Sequence, residues 1–281
     1  MENDSLQVMQ EEAVAIPVTV TELEAIEKSN IDIQVATAKR YPRNVELAIR
    51  NSETMVTMDF ETAKKCSYTL KRKDKDITGP TVHLAKIIAS NWGNLRTEAR
   101  VVGITGKQVI SRGICWDLET NNAAAFETRR GITGKDGKIY SDDMVTVTGN
   151  AASAIAFRNA VFSVIPRPIV DRVYKKAMQM VADVESRKNN GNIEETAKQW
   201  LSFFETQYKI KPEELLQLLK LSSTKDFTAD TMVTLNGLHQ AIVDGDTTVN
   251  ELMAEIRGTS EAVNDKKAAM REKKSNKTEM P

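Results

Sequence analysis

Apolar positions along this chain change period several times, and each change marks an element. Around Pro42 a helical pattern breaks, because the proline ring crowds the preceding turn and offers no N–H. A new helix is expected from Asn44, a favourable N-cap, and another from Phe60 to Cys66. Tyr68-Thr-Leu-Lys-Arg-Lys73 reads as a strand running into a basic loop. Gly79-Pro80 reads as a turn and helix start. It precedes Val82, Leu84, Ala85, Ile87, Ile88 and Ala89 at helical spacing, with a stop at Asn91-Trp92-Gly93.

Beyond Gly93 the period falls to near two. Leu95 to Gly103 and Lys107 to Leu118 are predicted strands joined by the turn Gly103-Ile-Thr-Gly106. Ala123 to Arg130 is a third, closed by the glycine-rich stretch 131–138. Ser141-Asp142-Asp143 offers an N-cap for a long, alanine-rich helix from Met144 to Ile165, interrupted by Gly149 and ended by Pro166 and Pro168. An amphipathic helix over 169–187 follows. This order predicts an α+β fold in which an antiparallel β-hairpin sheet packs on a long helix, with a small all-α C-terminal module.

The domain boundaries follow composition. Residues 1–30 are an acidic arm, polar and expected to be mobile to about Glu12, with weak helical character from Thr19 to Lys28. Residues 31–188 form the α+β core, 189–193 a linker by composition. Residues 194–257 form the helical module, with helices near 195–208, 212–220, 228–243 and 247–256. The charged tail 258–281 is expected to be disordered.

Charge sharpens this picture. The chain of 281 residues is neutral overall, with 39 basic and 39 acidic side chains, but the charges are segregated. Residues 1–36 carry 1 basic and 8 acidic side chains, 37–190 carry 26 and 16, and 191–281 carry 12 and 15. The middle is therefore basic between acidic flanks, and a basic domain attracts polyanions by phosphate neutralisation and counterion release. No run of about 18 apolar residues occurs, and the N-terminus has no signal-peptide pattern, so a cytoplasmic location and no membrane contact are expected. Cys66 and Cys115 stand far apart without metal-ligand spacing and read as small buried residues.

Candidate catalytic groups do not converge. His83 and His239 fall in different predicted modules, and His83 sits among Val, Leu, Ala and Ile as a packed or interface residue. GITGK occurs at 103–107 and 131–135, but a phosphate-cradling loop needs GxxxxGK followed by Ser or Thr at a helix start. Asp142 and Asp143 are explained by capping. Asp117 and Glu119 form a candidate magnesium pair without further acidic partners nearby. No catalytic residue, metal or cofactor is expected.

The basic clusters carry more. Lys71, Arg72, Lys73 and Lys75 form one; Arg129 and Arg130, with Lys135 and Lys138, form another. Arg96 and Arg100 share a strand face, and Arg112 on the partner strand can join them. These eleven residues are the candidate DNA-binding set. Aromatic residues are few, with Tyr68, Trp116 and Tyr140 the candidates for stacking on bases. Recognition is expected to run through the phosphate backbone and to be largely independent of sequence.

Four phrases, ATAKRYPRN at 36–44, ITGPTVHLAKIIASNWGN at 77–94, CWDLETN at 115–121 and DDMVTVTGNAASAIAFRNAVFSVIP at 142–166, resemble a family of phage and prophage proteins. The family is that of the single-strand annealing proteins of phage recombination, similar to the Erf and RecT groups, and the resemblance covers roughly residues 31–185. It implies a β-hairpin sheet packed on a long helix, assembly of subunits into rings or filaments, and single-stranded DNA as partner. The C-terminal stretch FETQYKIKPEELLQLLKLSSTKDFTADTMVTLNGLHQAIVDGDTTVNELM resembles small helical tails of phage DNA-metabolism proteins. That likeness implies a contact with host single-strand binding protein, and a module that caps the core or an oligomer interface stands beside it as the alternative.

The expected function is therefore ATP-independent single-strand binding and annealing, with no bond chemistry. Two other readings stand beside it. One is a phage structural or regulatory protein acting through protein contacts alone. The other is a metal-dependent DNA enzyme built on Asp117, Glu119, Asp142 and Asp143.

Overall fold

A computed structural model describes residues 20–72, 75–134 and 137–254. The expected mobile arm to Glu12 and the charged tail lie outside the described residues. The chain forms α1 (Val20–Arg40), α2 (Val45–Val56), α3 (Phe60–Lys64), β1 (Ser67–Lys71), β2 (Asp76–Pro80) and α4 (Val82–Trp92). It continues through β3 (Leu95–Thr105), β4 (Gln108–Asp117), β5 (Asn122–Gly131), α5 (Asp142–Val164) and α6 (Arg167–Arg187). The C-terminal helices are α7 (Ile193–Tyr208), α8 (Pro212–Leu219) and α9 (Ala229–Val243). The fold is α+β, and both sheets among the described residues are antiparallel.

The main sheet runs β3-β4-β5, with β4 in the middle. The first glycine turn behaves as its chemistry requires: Gly106 at φ 59° closes β3 onto β4, a left-handed conformation that costs glycine nothing. Along β4, Val109, Ser111, Gly113, Cys115 and Asp117 are buried, while the residues between them point to the opposite face. The buried face lies under α5, whose Gly149, Ala152, Ala156 and Ala160 are all buried. Small residues at this spacing let the helix backbone settle onto the strand. A Cβ at Gly113 would overlap the carbonyl of Ala156, and one at Gly149 would come within 3.1 Å of Val101. The Ser153 hydroxyl donates to Ser111 Oγ at 3.1 Å across the same seam.

Two expectations are corrected by this packing. Gly149 does not interrupt α5; it marks the close approach of helix to sheet. Gly79-Pro80 is not a turn but the end of strand β2, which pairs with β1 in the register Tyr68↔Gly79. There, a larger residue at 79 would press on the Tyr68 hydroxyl at 3.0 Å and on its ring at 3.1 Å. Ser141 occupies the N-cap of α5 as expected, with extended backbone, although its side chain makes no capping hydrogen bond.

One hydrophobic core gathers Leu84, Ile88, Cys115, Val161, Val170 and Val173 between α4, α5, α6 and the sheet. A second lies among the C-terminal helices, around Phe204, Leu215, Met232, Leu235 and Leu238. The helix α9 also lies across β1, so closely that Gly237 faces Thr69 where a Cβ would meet Thr69 Oγ1 at 2.5 Å. His83 Nε2 lies 3.2 Å from Asp244 Oδ1, and Arg158 pairs with the buried Asp246 at 3.3 Å. Between the two cores the chain passes through a short 3-10 turn in which Asn189 and Asn190 are left-handed. Helix α1 runs without a break through residue 30. Among the described residues, no helix is long and apolar enough to cross a membrane.

Candidate nucleic-acid interface

Residues that alternate with the buried positions of β4 define an open face. It carries Ile110, Arg112, Ile114 and Trp116 on the central strand. The antiparallel register places Arg96 beside Trp116, Glu98 beside Ile114 and Arg100 beside Arg112. On the other side, Arg112 faces Glu127 and Ile110 faces Arg129. Four arginines of the candidate set, Arg96, Arg100, Arg112 and Arg129, thus share one face with a row of apolar side chains between them.

Their electrostatics differ from those of a structural ion-pair network. Arg100 and Glu98 meet at 3.1 Å, and Arg129 and Glu127 at 2.9 Å, but all four side chains are at least 42% exposed. Such pairs are screened by solvent and exchange readily for another anion. Arg100 and Arg112 stand directly opposite each other. Like charges in that position destabilise a sheet, a repulsion that Glu98 beside Arg100 and Glu127 opposite Arg112 offset in part. Arg96 is the exception: Glu27 of α1 holds it at 2.8 Å, with Gln34 at 3.4 Å.

The remaining predicted residues are dispersed. Arg130 follows Arg129 on β5 and therefore points to the opposite face, paired in register with the buried Val109; the expected Arg129-Arg130 cluster is split by strand alternation. Lys71 belongs to no surface cluster. It is buried on β1, with its ammonium 2.5 Å from Asp76 across the hairpin. Arg72 and Lys75 are exposed at that hairpin, and Lys138 is exposed in the loop before α5. Lys73 and Lys135 lie outside the described residues. Of the three aromatic candidates, Trp116 alone lies on the open face. Tyr68 packs under Arg158 at 4.7 Å, and Tyr140 joins the apolar cluster of Val109 and Ile132.

Asp117 and Glu119 are not presented as a magnesium pair. Arg43 binds Asp117 through both terminal nitrogens, at 2.5 and 2.7 Å, and binds Glu119 through Nε and its own backbone N–H at 2.9 Å. Its guanidinium lies 4.8 Å over the Trp92 ring. Burial by itself would raise the Asp117 carboxyl, but hydrogen bonds from Arg43 and from the backbone N–H groups of Thr120 and Glu119 hold it below its ordinary value. Glu119 is lowered in the same way, with Asn94 and Arg43 overcoming burial. Arg43 was missed because 74 residues separate it from Asp117, and no spacing rule links them. Burial pushes both cysteine thiols up to about 12, so neither is a thiolate at neutral pH.

No family model, curated protein or solved structure matches the chain.

Proposed function

We propose that this protein binds single-stranded DNA on the open face of the β3-β4-β5 sheet and promotes annealing of complementary strands, without ATP, in phage-type recombination in the cytoplasm. The observation that carries the reading is the opposed pair Arg100 and Arg112 at the centre of a face that also bears Arg96 and Arg129. Like charges fixed opposite one another detract from the stability of the sheet, and phosphates are the anions that would fit a run of exposed guanidinium groups. Ile110, Ile114 and Trp116 supply an apolar floor on which unpaired bases can rest, with Trp116 as a stacking surface.

In this reading catalysis is alignment. Phosphates held by arginines leave base edges free to pair, and assembly of subunits into a ring or filament lays successive faces along one strand. The C-terminal helices are the proposed contact for host single-strand binding protein. The test is annealing of two complementary fluorescent oligonucleotides without ATP, over a salt series. Acceleration that fades as salt rises is the expected result; a folded protein that neither binds nor anneals the strands at low salt sinks the proposal.

A further inference from the structure

Away from the sheet face, a cavity of about 300 Å³ opens where α3 and the end of α6 meet α7 and α9. Its walls are Phe60 from α3, Trp200 and Phe203 from α7, and His239 from α9. The rings are set edge to face: Trp200 to Phe203 at 5.6 Å and Phe203 to His239 at 5.2 Å. Phe203 stays 38% exposed although it sits beside a hydrophobic core.

The charges around this cavity are unevenly committed. Glu185, whose side chain is fully buried, accepts hydrogen bonds from Lys188 at 2.7 Å, Asn236 at 3.2 Å and the Trp200 indole at 3.3 Å. Those three donors satisfy it from within the protein, so it offers little to a cationic ligand. Lys188 and Lys64 lie over the Phe60 ring at 4.7 and 5.6 Å, with side chains 38% and 25% exposed. Glu61, the partner of Lys64, is 64% exposed, and a pair so open to water gives way to a better-placed anion. Burial, followed by the charge of Lys64, lowers the His239 pKa, so its ring is neutral at pH 7, and its Nδ1 lies 2.6 Å from the Tyr208 hydroxyl.

Aromatic rings and two ammonium groups together in its lining suit a planar heterocycle bearing a negative group. At this volume the cavity is at the small end of ligand sites, with room for one such unit and not for a peptide segment or a folded partner. We infer that this cavity is a mononucleotide site. The base lies against Phe203 and Trp200, and the phosphate takes the place of Glu61 at Lys64, with Lys188 keeping its bond to Glu185 and offering another of its three N–H donors. The site is separate from the sheet face, so either reading can fail alone. A nucleoside monophosphate can reach it as a free molecule or as the phosphorylated end of a strand.

The test is calorimetric titration of the full chain with dAMP and with deoxyadenosine. One saturable site for dAMP is expected, weakened about tenfold by Phe203→Ala, a magnitude set by the loss of base stacking. Lys64→Ala, a change at a partly exposed helix position that leaves folding intact, should weaken dAMP by a similar factor and leave deoxyadenosine unaffected. The double variant Arg100→Ala with Arg112→Ala should bind dAMP as the parent does. No saturable binding at millimolar dAMP overturns the inference, and so does binding that survives Lys64→Ala but is lost in the sheet variant. Competition by an oligonucleotide carrying a 5′-phosphate identifies a strand end as the occupant; dAMP binding indifferent to that oligonucleotide identifies the free nucleotide.

Discussion

Arg112 and Gly113 are neighbours on β4, and they face opposite sides of the same sheet. On the α5 side the strand is closely fitted: Gly113 touches the α5 backbone, Ser111 meets Ser153, and at the strand end Asp117 is clasped by Arg43. On the other side, arginines stand opposite one another and the acidic neighbours of Arg100 and Arg129 are loosely held by solvent-screened pairs. Side chains on the first face are arranged to stabilise the fold. Those on the second contribute little to stability, and the opposed pair Arg100 and Arg112, flanked by Glu98 and Glu127, is the part of the face that the proposed reading assigns to phosphate.

The largest expected effect is at the closed end of this comparison. Arg43→Ala leaves the buried Asp117 and the partly buried Glu119 without their cation, at a cost of about 3 kcal/mol in chemical denaturation at pH 7. This loss should shrink on acidification. In the parent, the two lowered carboxyl groups contribute stability that is fully present above their ordinary values of 3.8 and 4.5 and is lost as pH falls through their folded values. Without Arg43, only the hydrogen bonds from Thr120, Glu119 and Asn94 oppose burial, so both carboxyl groups are lowered less and the variant has less such stability to lose on acidification. A loss equal at pH 7 and at pH 4 would show that packing, not charge, is what Arg43 supplies.

Next in size is Gly113→Ala, which inserts a Cβ into the α5 backbone. Separation of helix and strand should cost about 1–3 kcal/mol, read as a lower melting midpoint. A variant as stable as the parent would mean that α5 does not rest on β4.

Smallest in stability, and most informative for function, is Arg100→Ala with Arg112→Ala. Removing an opposed like-charged pair should leave the melt within about 0.5 kcal/mol of the parent. DNA affinity should nevertheless fall, and the salt slope should flatten by about 2, or about 1 for each phosphate that is no longer neutralised. An unchanged slope in a folded double variant would move the interface off this face.

Much of this molecule was legible in its sequence because much of it rests on local rules. Alternation on a strand is a property of two or three consecutive residues, so Arg96 and Arg100 could be assigned to one face, and the turn at Gly106 sets the hairpin that brings Arg112 beside them. The same rule, applied to Arg129 and Arg130, splits the pair that composition had joined. The long helix after Ser141-Asp142-Asp143 and the breaks at Pro42 and Pro166 were equally local.

What only the tertiary structure decided are the partnerships between distant segments. Lys71 turned inward to Asp76 because β2 pairs with β1, Arg43 found Asp117 and Glu119 because α2 begins beside the end of β4, and Phe60 came to face Trp200 and Phe203 because the C-terminal helices fold back onto the core. The sequence determined which elements form and which residues share a face, since backbone sterics and side-chain period act over a few residues. It left open which charges are buried and which cavities remain, because those depend on how whole surfaces meet, and no residue carries that information in its immediate neighbours.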